Sequence, residues 1–266
     1  MNIGERNEFI VKFILVNARD NHWDIPGIGL VASVGFGGTE YGRLPQGTTL
    51  CRENFQTDSS IYTLANSMGI AKAPSGAKAD IYLNGRGYSV KSLQTSPPAL
   101  INHTPRPGFQ NAIDRINNDS ALGIVQIEEL DHIISRYWEL RENGVIAEDV
   151  RNSDDTSPFR EHFHVIAPIL KYFLFVGTGQ GDSRYPAEYL LDIKNPFDFT
   201  TWDIYSRTDE NLIHYLWDRL IFSIRSKGMP ESYNADHPIS PRDRSISLWT
   251  RYRDGSYKGS LHVRLA

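Results

Sequence analysis

Apolar and polar positions alternate along this chain with a period that changes several times. Between residues 4 and 18, Phe9, Phe13 and Val16 share one helical face with Ile10 and Ile14 beside it. Glu5 and Glu8 make the first turn acidic, and the pattern predicts a first helix. Residues 21–50 are rich in glycine, with Pro26 and Pro45, and predict turns and short strands. Further helices are expected over 53–68, around Phe109, Ile113 and Ile116, over 121–142 behind caps at Asp119 and Ser120, over 159–170 and over 209–227. Apolar runs at 172–176 and 187–193 read as strands, and so do 245–253 and 257–265, joined at Asp254-Gly255. The polar, acidic stretch 151–158 reads as a mobile joint. Gly177, Gly179 and Gly181 precede no helix, so they read as a hairpin loop and not as a phosphate cradle.

The strongest turn signal is Asn84-Gly85, flanked by alternating residues on both sides, which predicts a β-hairpin. With Leu83 facing Tyr88, the register places Asp80 beside Lys91. Ser89 and Lys91 then share the face of Asp80, while Ile81 and Val90 point into the core. An aspartate can hold a hard cation such as Mg²⁺, and a nearby lysine can orient an attacking water and offset charge on a phosphate. The same spacing also suits a plain cross-strand ion pair.

A length of 266 residues fits one large domain or two small ones. Charged residues make up 23%, mean hydropathy is -0.40, and no apolar window reaches the ~18 residues of a membrane span, so a soluble protein without membrane contact is expected. The first six residues carry no basic-then-apolar leader, which with the lone Cys51 points to the cytoplasm and away from disulfides or a cysteine-rich zinc site. Net charge is -4, yet residues 241–266 hold six basic residues against two acids, a local +4, leaving -8 for the rest. A basic segment on an acidic body is a pattern for a local nucleic-acid contact, although a solvated strand has the same composition. Arginine grips guanine bidentately and Asn or Gln suits adenine, which makes Arg242, Arg244, Arg251, Arg253, Gln180 and Asn102 candidates for DNA contact, with Lys258 on phosphate.

Four separated segments resemble, in order, the restriction endonucleases of the MspI and HinP kind, within the PD-(D/E)xK nuclease superfamily. The segment from Gly4 to Ile10 resembles the first helix, which carries a glutamate near the metal. Asp80 with Ser89-Val90-Lys91 resembles the catalytic motif. The segment from Phe109 to Asp114 resembles the next helix, and 179–182, 187–189 and 239–242 resemble DNA-facing parts. The resemblance implies an α/β (α+β) fold with a mixed central β-sheet flanked by helices and extra C-terminal strands. It implies a catalytic core over 1–150 and a recognition part over 151–266, packed as one unit. It further implies Mg²⁺-dependent cleavage of double-stranded DNA at a short palindrome by a monomer or weak homodimer, with a cognate methyltransferase as genetic partner.

In that frame Asp80, Ser89, Lys91 and Glu8 are catalytic, and Asp80, Glu8 and the Val90 carbonyl bind metal. Ser89 stands where the motif's second acid is expected, which leaves a DNA-binding protein with impaired cleavage as the alternative. A glycoside-processing enzyme using Glu53 or Glu188 has only carboxylates and tryptophans in its favour.

Overall fold

The computed structural model describes residues 1–92, 97–119, 121–225, 251–253, 256–258 and 260–266. In chain order these form α1 (Ile3–Asp20), β1 (Asp24–Ile25), β2 (Gly29–Leu30), β3 (Val34–Phe36), β4 (Thr39–Glu40), α2 (Asp58–Ser67), β5 (Ile81–Leu83) and β6 (Arg86–Ser92). Next come β7 (Ala99–Pro105), α3 (Arg106–Asn118), α4 (Ile127–Glu142), β8 (Val150–Arg151), α5 (Phe163–Lys171), β9 (Gly177–Thr178), β10 (Gly181–Asp182) and β11 (Tyr189–Ile193). The last elements are β12 (Trp202–Ser206), α6 (Leu212–Trp217), β13 (Leu220–Arg225), β14 (Arg251–Arg253), β15 (Ser256–Lys258) and β16 (Ser260–Leu265). The protein is mixed α/β, with a central mixed sheet and helices, as expected. No helix among the described residues is long and apolar enough to cross a membrane.

Two compact units result, each discontinuous in sequence: Met1–Pro98 with Ser183–Asp209, and Ala99–Asp182 with Glu210–Ala266. Neither boundary coincides with the division expected at residue 150. The expected joint at 151–158 lies inside the second unit, where Asn152 is fully buried and its Nδ2 donates to the Trp217 carbonyl (3.1 Å). Its polar residues close turns instead of linking domains.

The first unit is built on a six-stranded sheet in the order β12-β11-β6-β5-β3-β4, in which β11 runs parallel to β6 and the other pairs are antiparallel. Helix α1 starts at a capping box, with Asn2 Oδ1 accepting from the Glu5 N–H and Glu5 Oε2 accepting from the Asn2 N–H. From Phe9 to Val16 every residue of α1 is buried, so the helix has no solvent face along that run and a polar side chain there must find its partner inside. The helix expected over 53–68 is split: a 3-10 turn covers Arg52–Phe55, and α2 begins after Thr57, whose side chain caps the Ser60 N–H.

The second unit carries an antiparallel sheet in the order β7-β16-β13-β8, and its core stacks Phe159 on Phe222 (centroids 4.1 Å apart, planes within 7°). Helix α3 buries Phe109, Ile113 and Ile116, as their spacing predicts. Three expectations fail here. The long helix starts at Ile127 and not at 121, because Gly123 adopts φ 104° and Asn117 clamps both backbone groups of Val125 (2.8 and 2.9 Å). The run Tyr172–Val176 is a π-helical turn continuing α5, not a strand. The helix expected over 209–227 is only Leu212–Trp217, and the following apolar run becomes β13, whose Leu220, Phe222 and Ile224 are fully buried between β16 and β8. An apolar run buried on both faces carries no periodicity to separate helix from strand.

Candidate functional site

The hairpin forms where Asn84-Gly85 predicts it, but with a tighter register. The pairs are Leu83 with Arg86, Tyr82 with Gly87 and Ile81 with Tyr88, so the loop is the two residues alone. Asn84 at φ 51° and Gly85 at φ 80° make both central residues left-handed, the twist that two-residue hairpins favour. Asn84 also anchors the turn, accepting from the Ala32 and Ser33 N–H groups and donating to the Leu30 carbonyl. The expected pairing of Asp80 with Lys91 is therefore corrected, and the cause is the shorter loop.

At Asp80 the ladder slips. Its N–H donates to the Tyr88 carbonyl (2.8 Å), so Asp80 and Ile81 both address Tyr88, as in a bulge, and β5 ends there. The Val90 N–H is then met by the carboxylate itself, donating to Asp80 Oδ2 at 2.7 Å. Gly87 is needed beside this point, since a Cβ there would come within 2.5 Å of the Pro186 carbonyl. The lead-in to Asp80 is laced to the same segment, with the Lys78 and Ala79 N–H groups both donating to the Tyr185 carbonyl (2.9 and 3.0 Å).

Around Asp80 the first unit gathers charge. Glu8 of α1 lies near enough to Asp80 that burial, and next the Asp80 charge, push its carboxyl above the usual glutamate range, against the pull of Lys12 and Lys91. Lys12, one turn on, is fully buried. Its Nζ lies 2.7 Å from Glu8 Oε1 and donates to the Ala71 carbonyl at 3.0 Å. Lys78 is pushed down to about 8 by burial and by Lys91, with Asp80 opposing. Asp192 of β11, fully buried, stands in register beside Lys91.

Tyr41 completes the set. Only 6% of it is exposed, and its backbone is fixed by Arg19, which donates to the Tyr41 carbonyl at 2.7 Å. Among the described residues its hydroxyl has no hydrogen-bond partner. Burial, and then Glu8 and Asp80, hold the proton on it far more firmly than in an ordinary tyrosine.

Of the expected catalytic residues, Glu8, Asp80 and Lys91 thus meet in one electrostatic cluster. Ser89 is on the same strand but 3% exposed, inside the sheet. Val90 turns its side chain to the core and offers only its main chain. Lys12, Tyr41, Lys78 and Asp192 join the expected residues. Of these only Lys12 leaves a sequence signal, as the one charge within an otherwise apolar run from Phe9 to Val16. Among the described residues no three His, Cys, Asp or Glu side chains converge as a metal cage. The groups that a hard cation could draw on here are the carboxylates of Glu8 and Asp80, which influence each other electrostatically.

The residues expected to touch DNA are less well placed. Gln180, exposed, sits in the loop joining β9 and β10, a hairpin braced by Arg115 on Asp182 (3.0 Å), and Asn102 is exposed on β7. Arg251 pairs with Lys258 and Arg253 with Ser256 in the β14–β15 ladder. Arg242 and Arg244 lie outside the described residues. The chain matches no protein-family model, no curated protein and no solved structure in the comparisons made.

Proposed function

We propose that the protein is a type II restriction endonuclease that hydrolyses phosphodiester bonds of double-stranded DNA at a short palindromic site with Mg²⁺. The observation that carries this reading is the convergence of Glu8, Asp80 and Lys91 from a helix and a hairpin far apart in sequence. The donor set suits a hard divalent cation: two carboxylates repel each other unless a cation lies between them, and the Tyr41 hydroxyl, without a partner among the described residues, lies within electrostatic reach of both.

Glu8 and Asp80 would hold Mg²⁺, with the Val90 carbonyl as a further oxygen. When bound, the ion would polarise the scissile phosphate and favour hydroxide at neutral pH. Lys91 orients the attacking water and offsets charge gathering on the phosphate. Lys12 keeps Glu8 in place through its 2.7 Å contact, and the Val90 N–H fixes one oxygen of Asp80. Arg242, Arg244, Arg251, Arg253, Gln180 and Asn102 would read or grip DNA, with Lys258 on phosphate. A cytoplasmic location beside a cognate methyltransferase follows from such an activity.

Asp80→Ala and Lys91→Ala should each lower cleavage of duplex DNA by roughly 10³-fold or more, the scale of losing a group that stabilises transition-state charge, while a gel shift still detects binding. Retained cleavage in either variant overturns the assignment. The second reading, a DNA-binding protein with impaired cleavage, draws on the buried Ser89 and on the structural bond from Val90 to Asp80. It predicts a gel shift by the wild type with no cutting.

A further inference from the structure

A tyrosine buried to 6% exposure normally brings its hydroxyl to a partner, because an unpaired buried donor is destabilising against a phenylalanine of the same shape. Tyr41 leaves its hydroxyl without one among the described residues, while its main chain is held firmly. Arg19 Nη1 donates to its carbonyl, and its N–H donates to the Val34 carbonyl (2.9 Å). The backbone around the ring is therefore fixed by the fold, and the buried, unpartnered hydroxyl lies within electrostatic reach of the carboxylates of Glu8 and Asp80. Both carboxylates already have one oxygen engaged, Glu8 Oε1 by Lys12 and Asp80 Oδ2 by the Val90 N–H.

We infer that the Tyr41 hydroxyl is a positioning group for a hydrated divalent cation between Glu8 and Asp80, to whose water shell it donates. The inference rests on the metal site proposed above and adds a residue outside every motif that suggested it. A donor at this place orients the hydration shell, and losing such an outer partner typically weakens metal affinity by about 10–100-fold.

Tyr41→Phe removes the hydroxyl alone, and the full-length protein gives two readouts that move in opposite directions. Ca²⁺ titration followed by calorimetry should show affinity reduced about tenfold or more. The melting temperature without metal should stay level or rise, since an unsatisfied group has been removed. In an Asp80→Asn background, Tyr41→Phe should cause no further loss of Ca²⁺ affinity. Unchanged Ca²⁺ affinity in the single variant, or a lower metal-free melting temperature, would mean that the hydroxyl serves a structural water and would overturn the inference. Metal affinity decides this point and DNA cleavage decides the nuclease reading, so either can fail without the other.

Discussion

The two units bury polarity in different ways. In the first, the buried polar side chains are Asn7, Lys12, Ser89 and Asp192, two of them charged. In the second they are Thr104, Asn152, Ser157, Ser223 and Ser260, none charged among the described residues. The second unit packs like an ordinary core, with Phe159 on Phe222 and hydroxyls or amides folded into turns. The first keeps ions inside although hydrophobic replacements of buried ion pairs are often as stable or more so. Of the first unit's buried charges, Lys12 lies against Glu8 and Asp192 stands in register beside Lys91.

The sharpest contrast comes from one substitution in each unit. Phe159→Ala should cost roughly 3–5 kcal/mol through the cavity it leaves, and Lys12→Met a similar ~3–5 kcal/mol if Glu8 loses its partner without relief. Urea unfolding measures both. The difference should appear on adding Ca²⁺: the cation can take over Lys12's role beside Glu8, so Lys12→Met should regain stability with metal and Phe159→Ala should not. Equal responses of the two variants to Ca²⁺ would erase the distinction between the units.

A smaller effect with a pH signature comes from Lys78. Its folded value of about 8 lies below the ordinary 10.5, so below pH 8 both states carry the proton and the folded ion costs stability. Between about 8 and 10.5 only the unfolded chain holds the proton, and stability rises with pH. Lys78→Met should therefore be more stable than wild type at pH 7, by up to roughly 3 kcal/mol, since each tenfold loss of proton affinity on folding is worth about 1.4 kcal/mol. The gap should close as pH approaches 10.5. A gap that is constant from pH 7 to 10 would show that Lys78 does not lose its proton in the cluster.

What is legible in the sequence follows from the range over which each feature is encoded. Helix α1, helix α3 and the Asn84-Gly85 turn are local: periodicity, a capping residue and two left-handed positions suffice. The resemblance of Glu8 and Asp80 to a known motif brings two ends of the site together. Asn84-Gly85 itself favours the two-residue loop that forms, and the bonds between Asn84 and Leu30, Ala32 and Ser33 hold it, whereas the alternation of the flanks is satisfied equally by a loop two residues longer and so does not fix the register. The runs Tyr172–Val176 and Leu220–Arg225 read the wrong way round, strand for π-turn and helix for strand, since burial on all sides hides the period. Tyr41 and Asp192 join the site from distant segments with nothing adjacent to them in sequence to mark it, and Lys78 stands two residues before Asp80 without a pattern that singles it out.

The central claim is that the charge buried in the first unit serves metal-dependent phosphodiester hydrolysis. The most direct measurement is a digest of phage DNA by the wild-type protein with and without Mg²⁺, resolved on a gel. The account predicts discrete fragments with Mg²⁺ and intact DNA without it. Intact DNA under both conditions, with purified folded protein in excess, would contradict it.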